Sequence, residues 1–160
     1  MKVAIIMGSD SDYKVVEKTE KLLLDFDVAC EVRIMSAHRT PYQAENFAKN
    51  AEEKGIEVII AAAGKAAHLP GVLAAYTPLP VIGLPIKSST MDGLDSLLSI
   101  VQMPKGIPVA TVAIDGAENA ALLAVQILSL KYADLRQKMK DYKKKMEEEV
   151  IRKDMEFQKR

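Results

Sequence analysis

"IEVIIAAAG", Ile56 to Gly64, is the stretch that decides the fold. After Glu57 it is apolar at every position, with no alternation of apolar and polar residues. A strand with one face in water alternates, so an unbroken apolar run of this length predicts a strand covered on both faces, as inner strands of parallel sheets are. Working outward, Val3 to Met7 is a second apolar run, closed by "GSDSD", and Pro80 to Leu84 and Pro108 to Ile114 supply two more. Val28, Cys30, Val32 and Ile34 alternate with charged or small residues, which predicts a strand with one less buried face.

Helical spacing fills the gaps. Val15, Val16, Leu22, Leu23 and Phe26 mark a helix over Ser11 to Phe26, and Pro41 to Lys54 reads as another, with Pro41 in its first turn and Gly55 as terminator. "LPGVLAAY" (Leu69–Tyr76), Leu94 to Met103 and Asn119 to Leu130 predict three more. Five strands alternating with helices, joined by right-handed crossovers, imply an α/β fold: a three-layer α/β/α domain over residues 1–130 with a doubly wound, parallel five-stranded sheet. Residues 131–160 differ. Leu135, Met139, Tyr142, Met146 and Val150 form a narrow apolar stripe on a highly charged helix, which suits packing along a neighbouring subunit; a solvated terminal helix is the alternative.

Composition narrows the classes of function. In 160 residues, 22 Lys and Arg balance 22 Asp and Glu, which argues against wholesale binding of nucleic acid or anionic membrane while leaving room for a small anion held by one or two cations. The single cysteine, Cys30, has no partner for a disulfide, and a reduced, cytoplasmic setting follows as the expectation. The apolar run before Gly8 is too short for a signal peptide or a membrane span. No spacing of Cys, His, Asp and Glu suggests a metal.

Ligands of open parallel sheets bind outside the carboxyl ends of the strands. The segments expected there are "GSDSD" (Gly8–Asp12), "SAHRTP" (Ser36–Pro41), "GKAAHLPG" (Gly64–Gly71) and "LPIKSST", where Gly, Ser, His, Arg and Lys gather. Ser9 and Ser11 offer hydroxyls beside the amides that open a helix, an arrangement that suits a phosphate. Asp12 either caps that helix or accepts hydrogen bonds from sugar hydroxyls. Arg39 can give two parallel hydrogen bonds to an anion. His38 belongs to the one residue type that gives and takes protons readily near neutrality, although a lone histidine is more often structural. His68 either bonds a local carbonyl or takes part directly.

In order along the chain, "MGSDSD", "SAHRTP", "AAHLPG" and "GLDSLLSIVQMPKGIPVATVAI" (Gly93–Ile114) closely resemble the N5-carboxyaminoimidazole ribonucleotide mutase family of purine biosynthesis, over roughly residues 3–130. The resemblance implies a flavodoxin-like homo-octamer that uses no metal or organic cofactor. Such enzymes act on a small ribonucleotide, moving a carboxyl group from its exocyclic nitrogen to its ring carbon. It implies His38 as general acid/base, Ser9, Ser11 and Arg39 on the phosphate, and Asp12 on the ribose. Ser36, the Ala63–Gly64 backbone, His68 and Leu69 would line the pocket for the base and carboxylate. A related branch carboxylates aminoimidazole ribonucleotide directly with free carbon dioxide; it typically reads "SAHKGP", and Arg39-Thr40 with His68-Leu69-Pro70 sets this chain apart from it.

Two departures from the family pattern stand out. Lys65 occupies a position usually filled by a small residue, where a cation either meets the carboxylate or points to solvent. The "DGAEN" connection (Asp115–Asn119) is shorter than in some relatives, which bears on contacts to a neighbouring subunit.

Overall fold

The computed structural model describes residues 1–160. Its elements are β1 (Lys2–Met7), a 3-10 turn (Asp10–Asp12), α1 (Tyr13–Asp25), β2 (Ala29–Ile34), α2 (Pro41–Lys49), β3 (Val58–Gly64), α3 (Leu69–Tyr76), β4 (Val81–Ile86), α4 (Leu94–Val101), β5 (Ala110–Thr111), α5 (Ala117–Leu128) and α6 (Ala133–Phe157). All strand pairs are parallel, in the order β2-β1-β3-β4-β5. This is the flavodoxin-like, three-layer arrangement expected from the alternation of strands and helices.

The unbroken apolar runs fill two cores, one on each face. Along β1 and β3, Val3, Ile5, Met7, Val58, Ile60 and Ala62 face α1, α5 and α6, where they meet Val16, Leu23, Val125 and Leu135. Their neighbours Ala4, Ile6, Ile59, Ala61 and Ala63 face α2, α3 and α4, against Phe47, Leu73 and Ile100. A period of two residues thus divides one apolar run between two cores. On β4, Gly83 lets α4 pack onto bare backbone, because a Cβ there would collide with Ile100 and Val109.

Several boundaries moved. The helix expected to reach Lys54 stops at Lys49 and continues as turns to Gly55, whose φ of +73° closes them. Asp10–Asp12 forms a 3-10 turn ahead of α1 rather than its first α-helical turn. The fourth strand extends through Ile86, and the fifth pairs over Ala110–Thr111 only. The short pairing has a local cause. Gly83 and Pro85 turn their peptide groups toward β5, since their carbonyls accept from Val112 N and Asp115 N. Pro85 has no N–H to return, so the ladder stops at Gly83.

The apolar stripe of α6 divides. Leu135 and Met139 are buried in this chain's own core, and Tyr142 packs against Phe26 with ring centroids 5.6 Å apart. Met146 and Val150 stand exposed farther along. No helix is long and apolar enough to cross a membrane.

Strand order positions the site. After β1 the chain crosses to β2 on one side, and after β3 it crosses to β4 on the other. The two connections diverge and leave a crevice at the carboxyl edge between β1 and β3, the switch point of the sheet.

Candidate active site

At the end of β1, Gly8 leads into a cradle of hydroxyls. Ser9 Oγ accepts from Ser11 N (3.3 Å) and from Ser11 Oγ (2.9 Å), and so caps the 3-10 turn. Asp12 does not cap: it stands at the position before α1 yet makes no capping hydrogen bond with its side chain. Instead Asp12 is a buried residue whose carboxylate accepts a long hydrogen bond from Ser11 Oγ at 3.4 Å. Burial pushes the Asp12 carboxyl above the ordinary carboxylate range, against the opposing pull of Ser9 and Ser11 and with a small further push from Asp10. A buried carboxylate with unused acceptor capacity facing a cavity suits ligand hydroxyls.

At the end of β2, "SAHRTP" folds into a closed turn. Thr40 N and Thr40 Oγ1 donate to Ser36 O (2.9 and 3.1 Å), and Ser36 N donates to Thr40 Oγ1 (2.9 Å). Ser36 Oγ then accepts from Arg39 N and Nε, and Arg39 Nη2 donates to Gly8 O at 3.3 Å. The turn therefore lays the guanidinium across the start of the Ser9–Asp12 cradle, and gives Thr40 a structural task beyond opening a helix.

At the end of β3, the chain passes through Gly64 and Lys65 to His68, which precedes α3. The side chain of His68 makes no cap to α3. It reaches across the switch point, and its Nδ1 lies 2.9 Å from His38 Nε2, with the rings edge to face at 5.0 Å between centroids. At such a contact one ring nitrogen donates and the other accepts. The chain's two histidines, thirty positions apart in sequence, form one exposed imidazole pair.

A cavity of about 460 Å³ joins these parts. Every residue singled out from the sequence lines it: Ser9, Ser11, Asp12, Ser36, His38, Arg39, Ala63, Gly64, His68 and Leu69. Sequence reasoning left out Gly8, Ala37, Ile86, Lys87, Ser88 and Ser89, which also line it. The last four belong to "LPIKSST", a segment already placed at a strand's carboxyl end; that position was the usable signal. Lys87 N is held by Asp115 Oδ1 at 2.9 Å, so the short "DGAEN" connection braces this wall. No three His, Cys, Asp or Glu side chains gather where they could hold a metal.

A cradle of serine hydroxyls, a buried aspartate and an imidazole pair share one edge of a flavodoxin-like sheet. The model of one family, AIR carboxylase, matches residues 2–149. The chain belongs to the AIR carboxylase family. Among similar members, the N5-carboxyaminoimidazole ribonucleotide mutase of Pyrococcus abyssi is 64% identical over 145 residues, covering 91% of this chain and 83% of that protein. The mutase of Thermotoga maritima is 58% identical, covering 95% of this chain and 89% of that one. The solved structure of Treponema denticola PurE superposes with a TM-score of 0.89 at 31% identity, covering 97% of each chain. As an AIR carboxylase family member the chain is an enzyme, and the cavity at the carboxyl edge is its candidate active site.

Proposed function

We propose that this enzyme is an N5-carboxyaminoimidazole ribonucleotide mutase, converting that carbamate to 4-carboxy-5-aminoimidazole ribonucleotide in purine biosynthesis. The observation that carries the reading is the His38–His68 pair beside the Ser9–Asp12 and Arg39 cradle. The names of the similar mutases support it further.

Ser9, Ser11 and Arg39 hold the phosphate, and Asp12 accepts hydrogen bonds from the ribose. Ser36, Ala63, Gly64, His68 and Leu69 surround the base and the carboxylate. The entering nucleotide takes over the hydrogen bond that His38 Nε2 shares with His68. Protonated His38 gives its proton to the exocyclic nitrogen as the carbamate C–N bond breaks, leaving aminoimidazole ribonucleotide and carbon dioxide. The ring carbon then bonds to that carbon dioxide, and neutral His38 removes the ring proton. The proton lost in the first half returns in the second, so one imidazole serves both. Keeping the carbon dioxide in the cavity replaces a bimolecular encounter with a local one.

The protein works as a cytoplasmic homo-oligomer, an octamer on the family pattern. Leu94, Leu98 and Val101 on α4, and Met146, Val150 and Ile151 on α6, are exposed in the single chain and supply apolar surface for such contacts. Light scattering reads the assembly directly.

The test of function supplies the purified enzyme with the carbamate in bicarbonate-free buffer, without ATP or added metal. A mutase forms the carbon-carboxylated product. A direct carboxylase forms it only from aminoimidazole ribonucleotide and supplied carbon dioxide, and that outcome overturns the proposal.

A further inference from the structure

Three cations line the cavity, and their circumstances differ. Arg39 is tied to Ser36 and Gly8, and Lys87 is paired with Asp92 at 3.0 Å. Lys65 makes no ion pair and no side-chain hydrogen bond, and stands exposed on the wall formed by the β3–α3 connection. Its backbone is also costly: φ is +55°, in the left-handed region where glycine sits without penalty and a residue with a Cβ is strained. Strain of this kind persists where the surrounding structure holds it, and it gathers at ligand sites. An unpaired ammonium therefore occupies a position whose backbone favours glycine.

Charge balance and position then suggest its ligand. Resting on the mutase reading, the nucleotide carries a phosphate monoester, about two negative charges near neutrality, and a carboxylate. Arg39 and the Ser9/Ser11 cradle lie after β2 and β1 and serve the phosphate. Beside them the buried Asp12 contributes an anion, so Arg39 alone leaves the ligand's charge uncompensated. Lys65 lies after β3, on the far side of the switch point, three residues before His68. It therefore shares the β3–α3 connection with one member of the imidazole pair, and both line the cavity.

We propose that Lys65 is a carboxylate-holding residue: its ammonium pairs with the carboxylate of the bound nucleotide and makes the site prefer carboxylated over decarboxylated ligand. The Cβ strain at φ +55° is retained because the cation acts at this point of the wall.

The experiment measures, by calorimetry on the whole protein, the affinity for 4-carboxy-5-aminoimidazole ribonucleotide and for aminoimidazole ribonucleotide. The wild type is compared with Lys65→Gly, Lys65→Gln and Lys65→Arg, and Tm is recorded for each. The expected result is a loss of about tenfold for the carboxylated nucleotide in Lys65→Gly and Lys65→Gln, the scale of one charge-assisted hydrogen bond. Affinity for the decarboxylated nucleotide stays within about twofold, and Lys65→Arg recovers most of the loss. Lys65→Gly keeps or raises Tm, by up to about 2–4 °C, as the backbone strain is relieved. Unchanged affinity for the carboxylated nucleotide in all variants overturns the proposal, and so does an equal loss for both nucleotides, which would place the cation on the phosphate. A wild type that binds neither nucleotide overturns the mutase reading and this inference with it. A wild type that binds both, with variants alike, removes the role of Lys65 alone.

Discussion

The two edges of the sheet treat charge in opposite ways. At the amino edge the charges on and just ahead of β1 and β3 are paired. Glu57 accepts from Lys131 (2.9 Å) and Tyr132 (2.9 Å) and lies 3.6 Å from the N-terminal ammonium, while Lys2 meets Glu31 at 2.6 Å. At the carboxyl edge Asp12 is buried with its acceptors largely unused, Lys65 is unpaired on strained backbone, and the imidazoles have only each other. Satisfied charges hold β1, β3 and the α5–α6 connection together, whereas the unsatisfied ones line the cavity. The two carboxylates record the contrast, since burial of Glu57 is outweighed by Lys131 and Tyr132 and its carboxyl falls below the ordinary range, whereas burial dominates at Asp12 and raises it.

The largest effect is expected at the carboxyl edge. His38→Asn removes the proposed proton carrier and keeps a polar side chain of similar reach. Carboxyl transfer falls by about 10²–10⁴ while nucleotide affinity, read by calorimetry, changes only a few-fold. Near-wild-type transfer by this variant would break the comparison outright.

Asp12→Asn sharpens it. Replacing a buried, under-satisfied carboxylate with an amide lowers nucleotide affinity by about tenfold or more and leaves Tm at neutral pH unchanged or higher. The sign follows from linkage. A carboxyl raised in the folded state contributes its full share of stability below the ordinary carboxylate value, and that share is lost as pH rises through the raised value. The amide abolishes this loss. A clear fall in Tm for Asp12→Asn would show that the carboxylate serves the fold.

Glu57→Gln is the matching change at the other edge, and a smaller one. It costs about 1 kcal/mol, or about 2–4 °C in Tm at neutral pH, and leaves carboxyl transfer unaltered. Here linkage runs the other way: stability from a lowered carboxyl is present above the ordinary carboxylate value and lost as pH falls through the lowered one. The Tm difference between Glu57→Gln and wild type therefore closes in acid. A difference independent of pH would contradict the ion-paired role.

The layers of the fold were legible because both faces of the inner strands are buried, so the runs at Val3–Met7 and Ile56–Ala63 needed no tertiary information to be recognised. The shortness of β5 was not legible from its own residues. It depends on Pro85, one strand away, turning its missing N–H toward it. Within the site, the residue types were readable because Ser, Asp, His and Arg cluster where strands were expected to end. What each of them does was less readable. Asp12 had a capping reading that only its burial and missing cap bond remove. The pairing of His38 with His68 depends on the divergence of the chain at the switch point, which local spacing does not encode. Lys65 was visible as a departure, but its left-handed backbone and lack of a partner belong to the folded molecule.

On the proposed mechanism the carboxyl edge moves one carboxyl group within one cavity. Isomerisation of unlabelled carbamate in buffer containing carbon-13 bicarbonate, with the product analysed by mass spectrometry at early times, tests it most directly. Transfer through trapped carbon dioxide predicts product without label. Product labelled in proportion to the bicarbonate in solution would contradict it.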